Sequence, residues 1–411
     1  MNLADLALAA EKKGVNILGT GDFTHPEWFR ILKEQLVEAE PGLFKLKAQF
    51  LKKEGRFSGA ETRFLLSCEI SCVYSKGGKV RKIHHLILAP SLNVVEKINI
   101  QLGWVGNLVA DGRPILGLDS EELLKIVMEA DENCFLIPAH IWTPWFSIFG
   151  SKSGFDSVAE CFGDYSQYIF ALETGLSSDP AMNWRLSALD RYTLVSFSDA
   201  HSAPKIAREA TVFDIHYDYF ELINALKNKD AKKILYTIEF FPEEGKYHYD
   251  GHRLCGIRLE PKETNKLKGI CPKCLKPLTI GVLNRIEKLA DRPEGFVPAG
   301  AIPFKNLVPL QEIIASVLFQ KGGSKQVAKF YDNLINNLGP ELNILLDLPL
   351  TEIEKNSSAE IARGVELVRE GKVIKEPGYD GVFGVIKVLP PQIKKEFVFQ
   401  EKENNQKTLF D

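Results

Sequence analysis

The sequence contains no apolar stretch that approaches the roughly 18 consecutive residues of a membrane-spanning helix. Its first residues also lack the basic region and apolar run that together mark a secretory signal peptide. The seven cysteines are an odd number and do not suggest a disulfide framework; Cys68, Cys72, Cys134 and Cys161 stand in or beside apolar runs, as buried thiols do. These absences predict a cytoplasmic protein with no membrane partner.

An excess of positive charge is missing as well. The 411 residues include 51 Lys and Arg against 54 Asp and Glu, which gives a formal net charge of −3. Overall charge therefore does not indicate a nucleic-acid partner, and any basic DNA-binding surface would have to be local. The length is sufficient for two or three domains with sizeable cores.

Short apolar runs alternate with helical patterns over the first part of the chain. The predicted strands are residues 15–20, 64–70, 83–88, 134–137, 168–173 and 193–197. Helix-like stretches between them include residues 29–39, 120–130 and 180–190. Continuous apolar strands that alternate with helices are typical of a parallel sheet or an α/β barrel.

Acidic residues and histidines recur at or just past the ends of these strands, and five of the eight histidines are among them. The set comprises Asp22, His25, Glu69, His84, His85, His140, Glu173, Asp199 and His201. A single such residue is more often a cap or a satisfied polar group, but together they suit two or three divalent cations at the mouth of a barrel. The pattern predicts hydrolysis of phosphodiesters by metal-activated water. Glu173 could instead orient a ligand, and only one of His84 and His85 should face the mouth.

A second group of metal-ligand residues lies further along. His252-x2-Cys255 is followed, after fifteen residues, by Cys271-x2-Cys274. Two chelating pairs at this spacing predict a tetrahedral structural zinc site, with His248 as a rival to His252. The surrounding stretch has few apolar residues, so zinc would supply folding free energy that the core cannot.

The composition divides the chain into four predicted parts. They are a metal-dependent hydrolase domain at 1–238, a zinc-binding module at 239–300, a helical C-terminal domain at 301–392, and a flexible tail at 393–411.

Several motifs resemble those of a known family: GTGDFTHP, CEIS, HHLILAP, PAHIWTPWFSIFGSKSGFDS and SFSDAHS. They resemble the polymerase and histidinol phosphatase (PHP) domain and, over residues 1 to about 390, the endonuclease Q family. The resemblance implies a distorted (β/α)7 barrel followed by a zinc-binding module and a helical C-terminal region. It also implies cleavage of DNA 5′ to deaminated bases, such as uracil and hypoxanthine, or to abasic sites.

The resemblance assigns roles to individual residues. It implies catalytic metal ligands, for Zn, Mg or Mn, at Asp22, Glu69, His85, His140, Asp199 and His201, with His25 as a further ligand. His85 is preferred to His84 because HLILAP matches the ligand-bearing strand of the family. The family also has a first strand with His-x-His, and this sequence starts within the helix that follows it, so we expect that strand to be missing.

Residues after His140 predict contacts to DNA. Trp142, Trp145 and Phe146 could stack on a base or wedge it out, although a packed lid under a loop explains them equally well. Ser151 and Ser153 could help to bind a phosphate through their backbone N–H groups. Near the end of the sequence, a separate motif of Gln406, Leu409 and Phe410 resembles a peptide that sliding clamps bind.

Three functional hypotheses follow. The first is a repair endonuclease of the endonuclease Q type. The second is a lesion-binding or clamp-tethered module that does not cleave, because the His-x-His pair is absent. The third is a small-molecule phosphatase of the PHP type, against which the extra residues with a zinc site count.

Overall fold

The computed structural model describes residues 2–52 and 61–388. The strands are β1 (Ile17–Gly19), β2 (Leu36–Glu40), β3 (Leu43–Leu46), β4 (Arg63–Lys76), β5 (Lys79–Ala89), β6 (Ile115–Leu116), β7 (Phe135–Pro138), β8 (Ala171–Glu173), β9 (Thr193–Val195), β10 (Ala210–Phe213), β11 (Ile234–Glu239), β12 (Asp250–His252), β13 (Ile257–Leu259), β14 (Phe304–Asn306), β15 (Ile374–Glu376) and β16 (Val385–Lys387).

The α-helices are α1 (Leu3–Lys13), α2 (Pro26–Gln35), α3 (Leu92–Val105), α4 (Ser120–Ala130), α5 (Val158–Phe162), α6 (Pro180–Asn183), α7 (Tyr219–Asn228), α8 (Pro261–Lys266), α9 (Val282–Leu289), α10 (Leu310–Leu318), α11 (Lys325–Leu338), α12 (Glu341–Leu346), α13 (Leu350–Asn356) and α14 (Ala359–Arg369). Short 3-10 helices occupy Ala48–Phe50, Gly163–Tyr168, Ser187–Leu189, Ala203–Lys205, Pro242–Glu244 and Arg253–Cys255. Among the helices described, none has the length and apolar character needed to cross a membrane.

A seven-stranded sheet organises the first part of the chain. Strands β2, β3, β4, β5 and β7 are neighbours in that order, and β1 and β6 both pair with β4 in parallel. A parallel pair, β8 and β9, and a three-stranded sheet of β10, β11 and β14 follow. The predicted α/β class is therefore confirmed.

Strands β4 and β5 form one long antiparallel hairpin. Gly77 and Gly78 connect them with φ angles of 62° and 71°, the left-handed backbone that a two-residue turn between paired strands needs. Strand β5 pairs antiparallel with β7 as well. The expectation of parallel strands separated by helices is wrong here, because a two-residue turn leaves no room for a crossover helix.

The helix predictions hold to different degrees. The helix predicted at 120–130 is α4, which Asp119 caps by accepting a hydrogen bond from the Glu121 N–H. The helix predicted at 29–39 ends at Gln35 because Leu36–Glu40 pairs with β3 instead. The stretch 180–190 contains only the short α6 and one 3-10 helix.

Helices α10 to α14 pack around a separate core, which confirms the predicted helical C-terminal region. A buried ion pair joins this region to α1. Lys13 Nζ lies 2.5 Å from Glu341 Oε2, to which the Tyr331 hydroxyl also donates, while the Leu310 N–H donates to Glu341 Oε1. Because these three donors satisfy the carboxylate, its burial does not leave an uncompensated charge.

A cavity of about 880 Å³ lies between β1 and the strands β10 and β11. Leu18, Phe197 and Val212 line it, and it extends to Asp22 and Asp199. In the described part of the chain β1 pairs with β4 alone, so its other edge borders this cavity. The seven-stranded barrel that the resemblance implies stays a prediction.

Candidate metal centre

Three of the side chains singled out above meet at one point. Glu69 lies within β4, His84 lies within β5, and His140 follows the end of β7. Glu69 Oε1 is 2.7 Å from His84 Nδ1 and 3.4 Å from His140 Nε2, and the two ring nitrogens are 3.0 Å apart. The β4–β5 pairing, which places Ser71 opposite His84, puts Glu69 and His84 on the same face of the hairpin.

The geometry favours His84, and not the predicted His85, as the histidine that could hold a cation beside Glu69. His85 is fully buried, its Nε2 is 2.8 Å from the Ser120 hydroxyl, and its ring packs on Phe162. Successive side chains of a strand point to opposite faces, so only one of two adjacent histidines can reach the Glu69 side. That residue is His84.

The positions of the three donors are explained better by a bound cation than by hydrogen bonds among the donors. Although His84 Nδ1 is close to Glu69 Oε1, this oxygen has no hydrogen bond of acceptable geometry in the described part of the chain. A carboxylate oxygen and two imidazole nitrogens that converge in this way can coordinate the same metal ion. Ligand distances of about 2.0–2.2 Å from a Zn²⁺ ion place neighbouring donors roughly 3 to 3.5 Å apart, close to the separations seen here.

Asp22 lies at the rim of the same centre. Partial desolvation and the carboxylates of Asp111 and Glu69 raise its pKa, whereas His25 and His201 oppose this rise. These five groups are therefore near enough for their charges to interact. The charges of His25 and His201 thus act on Asp22, and the cavity beside β1 reaches Asp22 as well.

Asp199 and His201 approach the centre from the side of β9. The pKa of His140 rises to about 9, because Glu69, Glu173 and Asp199 outweigh a burial that lowers it. His201 Nδ1 is 3.7 Å from Asp199 Oδ1, and 74% of the His201 side chain is exposed. His201 therefore lies at the solvent side of the centre.

Backbone strain marks the same residues. Asp22, His140 and Asp199 all have positive φ angles, of 51°, 30° and 43°, which cost free energy in residues other than glycine. Each of the three follows the end of a strand. Strain of this kind gathers at functional sites, where the surrounding structure holds side chains in a required position.

Glu173 supports His140 through the backbone. Its Oε2 accepts a hydrogen bond of 2.8 Å from the His140 N–H, and the residue is buried. Burial raises the pKa of Glu173 to about 7, although the neighbouring His140 opposes this rise. The contact fixes the backbone that carries His140, in agreement with the orienting role considered from the sequence.

Two further buried carboxyl groups lie near Glu173. The Thr174 and Thr237 hydroxyls donate to Glu239, and the Phe240 N–H donates to Glu209. Burial and repulsion from Glu239 raise the pKa of Glu209. Burial also raises the pKa of Glu239 to about 8, although the hydrogen bonds that Glu239 accepts oppose this rise. Neither residue could be predicted from the sequence, because no local pattern marks them.

Replacing Glu239 by glutamine is expected to flatten the pH dependence of stability. A carboxyl group whose pKa is raised by folding keeps its proton in the folded state where the unfolded chain has lost it. The free energy of unfolding therefore falls as pH rises from about 4.3, the ordinary pKa, towards the raised value, by at most about 1.4 kcal/mol per pH unit. Thermal unfolding followed at about pH 5 and about pH 8 measures this difference.

An exposed glutamate supplies the control for this experiment. Glu294→Gln, which changes an exposed side chain, should keep the wild-type dependence on pH. An unchanged dependence in Glu239→Gln would show instead that Glu239 is ionised in the folded protein.

The second predicted cluster also assembles. The ligand atoms of His252, Cys255, Cys271 and Cys274 all lie within 4.8 Å of one another, with His252 Nδ1 3.3 Å from Cys274 Sγ. His252 ends β12, and Cys255 ends the 3-10 helix that precedes β13. His248 is not part of the group: it is buried and its ring stacks on Tyr249. The fourth donor is therefore His252.

The electrostatics of this cluster favour one thiolate. Desolvation raises the pKa of Cys271, but the backbone N–H groups of Cys274 and Lys273 and the His252 side chain outweigh it and lower the pKa to about 6. A thiolate is the form that binds a metal. Four converging donors, all from protein, leave no open position for a substrate, so the arrangement suits a structural ion.

The aromatic segment after His140 divides into inner and outer members. Trp142 is fully buried, donates from Nε1 to Asn183 Oδ1 and packs on Phe149, so the fold encloses it where the sequence predicted a contact to DNA. Phe146 lies against the His84 ring, with centroids 4.6 Å apart. Trp145 is exposed and meets Tyr247 edge-on. Of the two tryptophans, Trp145 is the one that solvent can reach.

The two predicted phosphate-binding serines have other partners. The Ser153 hydroxyl donates to the Lys82 carbonyl and accepts from the Phe146 N–H, and Ser153 is buried. The Ser151 hydroxyl donates to the Ile280 carbonyl. Both hydroxyls therefore hold the loop in place, and the binding of a phosphate by the backbone N–H groups of this segment stays a prediction.

Arg285 is a structural residue of α9. It is buried, and it donates from α9 to the carbonyls of Phe149 and Phe155 and to the Asp156 carboxylate. These partners follow Phe146, which packs on His84, in the same segment. Arg285 thus connects α9 to the loop beside the candidate metal centre. The predicted clamp peptide, Gln406, Leu409 and Phe410, lies outside the described residues.

Comparison with known proteins identifies the family of this chain. A crystal structure of endonuclease Q, in complex with a 27-mer duplex substrate with an abasic lesion at the active site, is similar to this chain with a TM-score of 0.82 and 30% sequence identity, over 96% of this chain and 93% of that one. The chain belongs to the endonuclease Q family. The lesion-specific endonuclease PfuEndoQ from Pyrococcus furiosus is similar as well, with a TM-score of 0.81 and 29% identity over 94% of this chain and 90% of that one.

Further matches of this endonuclease Q family member differ in extent. Residues 309–372 match the family described as the MJ0043 C-terminal domain. The uncharacterized protein YqxK of Bacillus subtilis is 28% identical over 389 residues, which are 93% of this chain and 91% of that protein. The uncharacterized protein MJ0043 of Methanocaldococcus jannaschii is 28% identical over 314 residues, or 72% of this chain, but the match spans only 38% of that protein.

Proposed function

We propose that the protein is a DNA repair endonuclease that cleaves the phosphodiester bond 5′ to a deaminated base, such as uracil or hypoxanthine, or to an abasic site. The convergence of Glu69, His84 and His140 carries this proposal. A cluster of carboxylate and imidazole donors suits metal-assisted hydrolysis. The relative whose structure holds an abasic duplex supports DNA as the substrate.

The proposed ligands of the catalytic ions, which would be Zn, Mg or Mn, are Asp22, Glu69, His84, His140, Asp199 and His201, with His25 beside them. Such ions, when bound, lower the pKa of water and stabilise charge that develops on a phosphate. The protein prepares these positions in advance. Glu173 fixes the backbone of His140, and Phe146 packs on the ring of His84. Groups held in this way need little rearrangement during the reaction.

Two further assignments belong to this proposal. A structural Zn²⁺ would bind at His252, Cys255, Cys271 and Cys274, whose donor atoms converge. The exposed Trp145 would stack on a base of the DNA, because aromatic faces accept any base. The division at 238 and 300 into a hydrolase domain, a zinc-binding module and a helical domain is part of the same proposal.

The test incubates the purified protein with four labelled duplexes. One carries an abasic site, one uracil, one hypoxanthine, and one is undamaged; each is tested with Mn²⁺, Mg²⁺ or Zn²⁺ and without added metal. We expect incision 5′ to the lesion, dependent on added metal, and no incision of the undamaged duplex. Incision of all four duplexes alike would contradict lesion recognition. Turnover of phosphomonoesters without any effect on DNA would instead support a PHP-type phosphatase.

A lesion-binding module that does not cleave is the alternative that the same experiment tests. Selective binding of the abasic duplex without incision under every metal condition would support this candidate over the nuclease.

A further inference from the structure

The loop between α3 and β6, residues 106–114, lies against the candidate metal centre. Gly112 is so close to Asp22 that an added Cβ would be 2.5 Å from Asp22 Cγ. The Pro114 carbonyl accepts a hydrogen bond of 3.0 Å from the Ser71 N–H, two residues beyond Glu69 in β4. The backbone on both sides of Arg113 is therefore held against segments that carry metal-ligand candidates.

The Arg113 side chain contacts the Glu69 oxygen that does not face the histidines. Its Nη1 is 3.2 Å from Glu69 Oε2, whereas Glu69 Oε1 faces His84 and His140. With 37% of its side chain exposed, Arg113 lies between the carboxylate and solvent.

The side chains of two other arginines, Arg208 and Arg285, are held by structural hydrogen bonds. Arg208 donates from Nε and Nη2 to the Ser198 and Asp199 carbonyls, and Arg285 is buried among carbonyls and Asp156. Arg113 differs because its side chain contacts Glu69, a carboxylate of the metal centre itself. A guanidinium in this position can exchange the single Glu69 oxygen that it contacts for a phosphate, which offers two acceptor oxygens.

We propose that Arg113 binds the phosphate that is cleaved and positions it at the metal centre. This inference rests on the proposed nuclease function and adds a substrate-binding residue to it. A cation at Glu69 would withdraw carboxylate charge from Arg113, so that the guanidinium would favour the incoming phosphate. Arginine suits this role better than lysine because its planar fork contacts two phosphate oxygens at once.

A cycle of substitutions in the protein and the DNA tests the contact directly. Wild type and Arg113→Gln are each titrated, by fluorescence anisotropy in Ca²⁺, with two abasic duplexes. One has a normal phosphate 5′ to the lesion and the other a neutral methylphosphonate there; a denaturing gel verifies that the DNA stays intact. Arg363→Gln is the matched control, because Arg363 forms an exposed ion pair with Glu366 on α14.

We expect the methylphosphonate to weaken binding by wild type and by Arg363→Gln about tenfold, as the loss of one charged hydrogen-bonding partner does. Arg113→Gln should bind the normal duplex about tenfold more weakly and lose less than about twofold more with the methylphosphonate. The affinity of Arg113→Lys for the normal duplex should lie between those of wild type and Arg113→Gln. If the methylphosphonate weakens binding by Arg113→Gln as much as it weakens binding by wild type, the two losses are independent and the proposal is overturned.

Two controls separate this proposal from others. A Mn²⁺ titration should show no loss of affinity in Arg113→Gln; a loss of metal affinity that matches the loss of DNA binding would show that Arg113 acts through Glu69 and would overturn phosphate binding. If wild type binds the abasic duplex but does not incise it with any metal, the nuclease function fails, while the cycle still decides whether Arg113 contacts that phosphate.

Discussion

Replacing His84 by alanine is expected to lower the rate of incision at an abasic site by about 10³-fold, which corresponds to roughly 4 kcal/mol of activation free energy. The imidazole of His84 is one of three donors that converge, the others being on Glu69 and His140. Its removal would leave the proposed metal centre with two of these three donors. Single-turnover kinetics together with a Mn²⁺ titration would measure the losses of rate and of metal affinity.

The neighbouring His85 supplies the matched variant. His85→Asn should cost stability, by about 1–3 kcal/mol, because the buried contacts of the ring with Ser120 and Phe162 are lost. It should keep metal affinity and most of the incision rate, since His85 does not face Glu69. The reverse result, in which His85→Asn loses the metal and His84→Ala retains it, would show that the assignment of the two histidines is wrong.

These adjacent histidines also show where inference from sequence ends. The strands and the recurrence of acids and histidines at their ends were visible as local patterns, and Glu69 and His140 were identified in that way. Which of His84 and His85 faces Glu69 depends on the register between β4 and β5, which is set by pairing along the whole hairpin. The resemblance favoured His85 through a short motif, and a displacement of one residue reverses the face of a strand.

The aromatic segment also shows that the sequence does not predict contacts between distant parts of the chain. Trp142 and Trp145 stand three residues apart in one loop and cannot be distinguished by composition. Trp142 is buried and donates to Asn183, which lies 41 residues further along the chain. Arg285 binds this loop from α9. Contacts at such separations have no local signal, so the sequence could indicate an aromatic loop but not its inner and outer faces.

The spacing of His252, Cys255, Cys271 and Cys274, in contrast, was sufficient to predict a cluster of four donors, although it left His248 as a rival to His252. Short chelating pairs bring two donors together within one turn, so only the approach of the pairs depends on the tertiary fold. The open choice between His248 and His252 was resolved by the fold, because His252 at the end of β12 lies beside the cysteines. Local constraint thus made this cluster more predictable than the metal centre, whose donors come from several separate strands.

Replacing Cys274 by serine is expected to remove the proposed structural zinc and to unfold the segment around it. Between residues 250 and 280 the described core contains few apolar side chains, Leu278 and Cys271 among them, so packing alone cannot hold this segment. Zinc binding in small modules contributes an apparent free energy of about 10–16 kcal/mol, which is comparable to the whole stability of a domain. Elemental analysis should show one zinc ion fewer per chain, and limited proteolysis should cut between β12 and α9.

The effect should extend to the metal centre. Loss of the segment would release Ser151 from the Ile280 carbonyl and loosen α9, from which Arg285 holds Phe149 and Phe155. We expect incision by Cys274→Ser to fall by at least about tenfold, because a loop that is no longer held misplaces the side chains it carries. Cys134→Ser, which changes a buried cysteine outside the cluster, should keep its zinc content. Full zinc content and wild-type proteolysis in Cys274→Ser would mean that the four donors do not bind a structural ion.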